Sequence, residues 1–195
     1  INAEMTFTGN LLDLFSPYTL IAGAAGFVVF LLQGAIFLSL KTDGVIRRRA
    51  EALAPKLWAV VVVVAAGLTI ANYAYIGIFD KIGVNPGVMP VTSAAALLAV
   101  GYTLRRKQFG WAFALTAVTI LLSVATFFWF LYPNVMVSST DAAFNLTVDN
   151  AAASQKTLEV MAVVALVLVP IVLIYQGWSY WVFRKRLTAD SSLEY

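Results

Sequence analysis

Long apolar runs separated by short polar and basic stretches give this chain its pattern, and five of them, 17–40, 58–79, 88–104, 109–132 and 158–183, approach membrane-spanning length. A hydrocarbon layer about 30 Å thick takes about 20 residues of α-helix. The apolar positions run continuously instead of alternating, which excludes the strands of a membrane barrel and leaves helices, whose backbone polar groups bond within the segment. Pro17 stands where a helix start tolerates a missing N–H, Pro55 precedes the second run and reads as its boundary, and Pro133 stops the fourth. The pattern predicts an all-α, multi-pass membrane protein of about five transmembrane helices.

The polar stretches orient this arrangement. Lys41, Arg47, Arg48, Arg49 and Lys56 lie between the first two predicted helices, Arg105, Arg106 and Lys107 between the third and fourth, and Arg184, Lys185 and Arg186 after the fifth. Eleven of the thirteen basic residues thus fall on one side, with Lys81 and Lys156 on the other. Basic loops stay cytoplasmic, so the N-terminal segment, the turn at 80–87 and the loop at 133–157 are expected outside a bacterial plasma membrane. Tyr18, Phe79, Trp129, Tyr132, Trp178, Tyr180 and Trp181 stand near the ends of the runs, where amphipathic rings favour the membrane interface.

Composition sharpens the picture. Hydrophobic residues make up 61% of the chain and charged ones 12%, about half the charge a soluble domain carries. The net charge of +3 sits in short clusters between apolar runs, which argues against nucleic acid as a partner. No cysteine is present, which removes disulfides, thiolate metal sites and a thiol nucleophile. No histidine is present either, and with it go the commonest haem ligand and general base. No phosphate loop, carboxylate dyad or catalytic triad appears, so no catalytic, cofactor-binding or metal residue is assigned. Residues 1–14 have no basic start leading to an apolar core, unlike a signal peptide. A chain opening at Ile1 is expected to be part of a longer subunit.

Several polar residues within the runs have two readings. Gln33, followed by Gly34 and Ala35, offers an amide to a quinone carbonyl or to a neighbouring helix, with Gly34 permitting close approach; packing is the preferred reading. Gly23 and Gly26 read as helix-packing positions. Asn72, Tyr73 and Tyr75 form either a ligand pocket or an interfacial anchor. Thr92, Ser93 and the alanines at 94–96 read as a helix contact. Glu159 is the one acid near a membrane core, which makes it a functional candidate. Its i,i+3 spacing from Lys156 and its place near a helix start favour a structural role. Thr147 is expected to cap an outer extension of the fifth helix, with Asp149 in its first turn.

Longer strings go further. Glu4-Met5-Thr6-Phe7-Thr8-Gly9-Asn10 with Asp13-Leu14 and Pro17-Tyr18, then Gly34-Ala35 and Leu40-Lys41-Thr42-Asp43-Gly44, occur in order. They are followed by Tyr132-Pro133, Ser138-Ser139-Thr140-Asp141, Asn145-Leu146-Thr147, Pro170-Ile171-Val172-Leu173 and Trp178. This ordered set resembles subunit II of cytochrome bd-type quinol oxidases, from midway through that family's sequence onward. The resemblance implies a four-helix bundle plus a peripheral helix. It implies a role in a respiratory complex that reduces dioxygen to water with electrons from a membrane quinol. Haems b and d and the principal quinol site would lie mainly on the haem-bearing subunit I. Further partners would be membrane lipid, quinone and a small accessory membrane subunit. The family's proton-path carboxylates belong to the half not represented here, so none is transferred. The family often carries His where Gln33 stands, which bears on any protonation role there. A half-bundle of a membrane transporter or channel is the alternative reading, and it expects helices broken near the midplane.

Overall fold

The structure, a computed structural model, describes residues 9–10, 12, 15–76, 87–138 and 141–184, without the side chains of 72–76 and 142. Its long elements are α1 (Pro17–Lys41), α2 (Gly44–Ile76), α3 (Val88–Arg105), α4 (Phe109–Leu131) and α5 (Gln155–Val182). All five are long and apolar enough to cross a membrane, and the chain is a multi-pass membrane protein. Between α4 and α5 lie two short strands, β1 (Asn134–Met136) and β2 (Leu146–Thr147). The chain divides into two compact units, one holding α1 to α4 and the other the strands and α5.

Local chemistry sets the ends of the elements. Ser16 caps α1, its hydroxyl accepting from the Thr19 N–H at 3.2 Å, with Pro17 in the first turn. The α3–α4 turn is a Schellman closure: Gln108 N–H donates to Thr103 O at 2.9 Å and Lys107 N–H to Leu104 O at 3.0 Å. Lys107 takes the left-handed conformation, φ 56°, that this motif requires and that usually falls to glycine.

The second helix departs from the sequence reading. It begins at Gly44, about four turns before Trp58, and carries Pro55 inside it. Arg47, Arg48, Arg49 and Lys56 therefore lie on helix, not in a loop. The run from Arg47 to Leu53 is made largely of strong helix formers, and Arg47 Nε pairs with Glu51 Oε1 at 2.7 Å across one turn. Pro55 removes one N–H, yet the neighbouring turns hold, and its ring stands on an exposed face. At about 1.5 Å per residue the 33 residues of α2 reach about 50 Å, longer than the hydrocarbon layer.

The four-helix unit shares one core. Leu32, Ala35 and Ile36 of α1 meet Ala54 and Val61 of α2, Leu97, Val100 and Leu104 of α3, and Phe109 and Ala112 of α4. Trp58 locks α2 to α3: its indole N–H donates to Leu97 O at 2.8 Å, and its ring lies across Gly101. Ser93 of α3 and Ser123 of α4 join hydroxyls at 2.9 Å, and Ser93 Oγ also donates to Thr119 O at 3.4 Å. In lipid, small residues and hydroxyls carry such contacts because no hydrophobic force separates protein from solvent.

In the other unit, β1 and β2 pair antiparallel, with Asn134 opposite Thr147 and Met136 opposite Leu146. The segment predicted only as a loop is thus a short hairpin. Asn145 Oδ1 accepts from Ser138 N–H at 2.8 Å, and Asn150 Nδ2 donates to Asn145 O at 3.0 Å. No residue of α5 is buried.

Candidate functional site

The polar residues singled out from sequence do not converge on one place. Gln33 lies on α1, one turn before Phe37, whose ring meets Phe113 of α4 at 5.9 Å between centroids. Its Oε1 is buried and has no hydrogen-bond partner among the described residues. An amide oxygen only accepts, so this position calls for a donor. Among the described residues, Gly34, Gly23 and Gly26 do not provide the close approach expected of them, since no atom of a neighbouring element stands within 4 Å of where a Cβ would sit. The glycine that does is Gly101, where a Cβ would overlap the Trp58 indole. Sequence reading missed it, because nothing in Ala99-Val100-Gly101-Tyr102 marks it apart from other glycines in apolar runs.

Glu159 is placed differently from expectation. Ser154 caps α5, its hydroxyl accepting from Thr157 N–H at 3.4 Å, and the helix begins at Gln155, three residues before the predicted beginning. Glu159 therefore falls beyond the first turn, which holds no acid, and the dipole contribution fades over that distance. Its carboxylate accepts from Gln155 Nε2 at 3.4 Å, and no ion pair with Lys156 forms. Thr147 caps a tight turn in place of the helix: its N–H donates to Asn150 Oδ1 at 2.7 Å and its hydroxyl accepts from Asn150 N–H at 3.3 Å. Asp149 is exposed in that turn.

In α3, the contact expected of Thr92, Ser93 and the alanines falls to Ser93. Thr92 bonds back to its own helix at Val88 O and Met89 O, both 2.9 Å. The side chains of Asn72, Tyr73 and Tyr75, and residues Phe79, Lys81, Ser139, Thr140, Lys185 and Arg186, lie outside the described residues. At the ends of the helices, Trp129, Tyr132, Trp178, Tyr180 and Trp181 are exposed, in keeping with an interfacial role.

Comparison with known proteins adds what the geometry does not. The family model described as cytochrome bd terminal oxidase subunit II matches residues 1–183. The chain is 31% identical over 195 residues to cytochrome bd ubiquinol oxidase subunit 2 of Bacillus subtilis (strain 168), covering 100% of this chain and 58% of that protein. It is 30% identical over 224 aligned positions to cytochrome bd-I ubiquinol oxidase subunit 2 of Escherichia coli (strain K12), covering 96% of this chain and 57% of that one. A probable cytochrome oxidase subunit 2 of Haemophilus influenzae is 28% identical over 216 positions, with 96% and 57% covered. The chain spans somewhat more than half the length of these relatives.

Proposed function

The chain belongs to the cytochrome bd terminal oxidase subunit II family, and from that premise we propose that it is part of the haem-free subunit of a respiratory quinol oxidase. In this reading it supports the assembly of a haem-bearing subunit I, which draws electrons from quinol and reduces dioxygen to water. The observation that carries the reading is the match along the whole chain to proteins named as subunit 2 of a ubiquinol oxidase. It leaves the transporter or channel alternative without support.

Haem is the cofactor such a complex implies, and the donors of this chain do not fit it. There is no histidine or cysteine. Of the four methionines, Met89 on α3, Met136 on β1 and Met161 on α5 are exposed on three separate elements. In this proposal haems b and d belong to the partner subunit, together with the principal quinol site. Membrane lipid, quinone and a small accessory membrane subunit complete the proposed surroundings.

Affinity purification of the full-length tagged subunit tests this. Expressed with its partner, it should carry haem absorbance and oxidise quinol; expressed alone, it should reach the membrane without haem. A haem-loaded single chain would overturn the assignment.

The proposed orientation, with the basic end cytoplasmic, rests on the sequence asymmetry. Single cysteines at Ala52 and Gln108 should react only with reagents admitted to the cytoplasm, and one at Ala143 should label from outside. Gly44 is a poor site for such a probe, because its φ of 66° strains any side chain. Labelling of Ala52→Cys or Gln108→Cys by an impermeant reagent in intact cells would reverse the assignment.

A further inference from the structure

At the end of the four-helix unit where α1 passes to α2 and α3 to α4, basic residues outnumber acids heavily. The only acids in 41–56 and 104–108 are Asp43 and Glu51, and both face Arg47. Glu51 Oε1 lies 2.7 Å from Arg47 Nε and Asp43 Oδ1 3.9 Å from its Nη1. That leaves Arg48, Arg49 and Lys56 on α2, and Arg105, Arg106 and Lys107 at the α3–α4 turn. All six are exposed, and none has an ion pair among the described residues. The two groups belong to one end of the unit, because Ala54 of α2 shares the core with Leu104 and Phe109 on either side of the turn.

Charge alone describes a solvated face, but the surroundings of these cations are not those of open water. The buried line of α2 runs through Ala50, Ala54 and Val61. On its exposed side Arg49 and Lys56, seven residues apart, share one line. Ile46 and Leu53, also seven apart, stand beside it and are 57% and 48% exposed. At the α3–α4 turn, Tyr102 and Trp111 are exposed, and the Arg106 guanidinium sits 5.3 Å from the centre of the Tyr102 ring. Cations interleaved with exposed aliphatic and aromatic side chains, at the point where apolar helices begin, match the boundary between phosphate groups and acyl chains.

We propose that this basic collar binds the headgroups of anionic phospholipids in the leaflet at that end, through two arms: Arg48, Arg49 and Lys56 on α2, and Arg105, Arg106 and Lys107 at the α3–α4 turn. The arms supply the positive charge that an anionic phosphodiester headgroup attracts, and Leu53, Tyr102 and Trp111, nearer the apolar runs, meet the glycerol and upper acyl region. A free anion would use the cations and leave those apolar groups in water. The proposal holds in either membrane orientation and stands apart from the oxidase role.

Phosphatidylglycerol and phosphatidylcholine titrated separately into the full-length subunit, purified with its partner in neutral detergent, test it by the rise in melting midpoint. Phosphatidylglycerol should stabilise and phosphatidylcholine should not, and inorganic phosphate at matched ionic strength should have no effect. Each basic side chain near a membrane surface is worth about fivefold in affinity. Changing either arm to Gln should therefore shift the phosphatidylglycerol midpoint concentration at least about tenfold, while the charge-preserving set Arg48→Lys, Arg49→Lys and Lys56→Arg keeps it. If one arm's variant does not assemble, the other arm's variant carries the test. Equal response to the two lipids in the wild type, a response to inorganic phosphate, or an unchanged response in an assembled Gln variant would each overturn it.

Discussion

Gly101→Leu should abolish accumulation of the folded protein in the membrane. Gly101 is buried in α3 beneath the indole of Trp58, and even a single methyl there would overlap Cζ2, Cε2 and Cη2 of that ring. The ring has little freedom to yield, because its N–H is held by Leu97 O at 2.8 Å and the adjacent core residues Val61, Leu97, Val100 and Leu104 are buried. Added methylenes in a packed core cost about 1–3 kcal/mol. Replacing helical Gly with Ala returns only about 1 kcal/mol. Gly101→Ala should therefore lower the melting midpoint by a few degrees, whereas the larger Leu should prevent α2 and α3 from meeting. Trp58→Ala in the same chain opens the space and should restore Gly101→Leu to the membrane. Size-exclusion profiles of fluorescently tagged variants in mild detergent give the readout. A wild-type profile for Gly101→Leu alone, or failure of Trp58→Ala to rescue it, would remove the Trp58–Gly101 contact as a lock.

That contact also marks the limit of what the sequence discloses. Helix number and most boundaries are legible because continuous apolar length is a strong signal: α1, α3 and α4 end within a residue of where the runs do. The misplaced boundary at α2 has a physical cause. Pro and charge both argue against helix inside lipid, but they do not stop a helix that has left it, and Arg47-Glu51 pairing carries α2 back to Gly44. The same holds at α5, where Ser154 caps the helix ahead of its apolar run. Contacts between helices are far less legible. Gly34 and Gly101 look alike in sequence, and only the partner helix decides that Gly101 lies beneath a ring while Gly34 faces open space. Ser93 and Thr92 differ likewise, one facing Ser123 and the other its own helix. Polarity within a membrane run flags a residue as worth attention, and the direction in which it points is set by packing that one chain's pattern does not encode.

Gln33→Glu should lower the stability of the assembled subunit sharply, and Gln33→Leu should leave it unchanged or raise it. Gln33 Oε1 is buried without a hydrogen-bond partner among the described residues, and an unsatisfied buried acceptor costs about 1–3 kcal/mol. Leucine keeps similar bulk and removes the polar atoms, so nothing is lost and that cost is relieved. Glutamate keeps the shape and adds a charge at hydrocarbon depth, where a carboxylate costs about 2.5–3.5 kcal/mol. Charge being the cause, the deficit should shrink at acidic pH, where the carboxyl is protonated and neutral, and grow as it ionises. Melting midpoints of the detergent-purified assembly across mildly acidic to neutral pH measure this, with Gln33→Leu expected flat and Gln33→Glu sloping. A Gln33→Leu assembly that melts well below wild type at every pH would show that the amide oxygen meets a donor supplied from elsewhere in the assembly. The packing reading of Gln33 would then give way to one in which it is an interhelical or quinol contact.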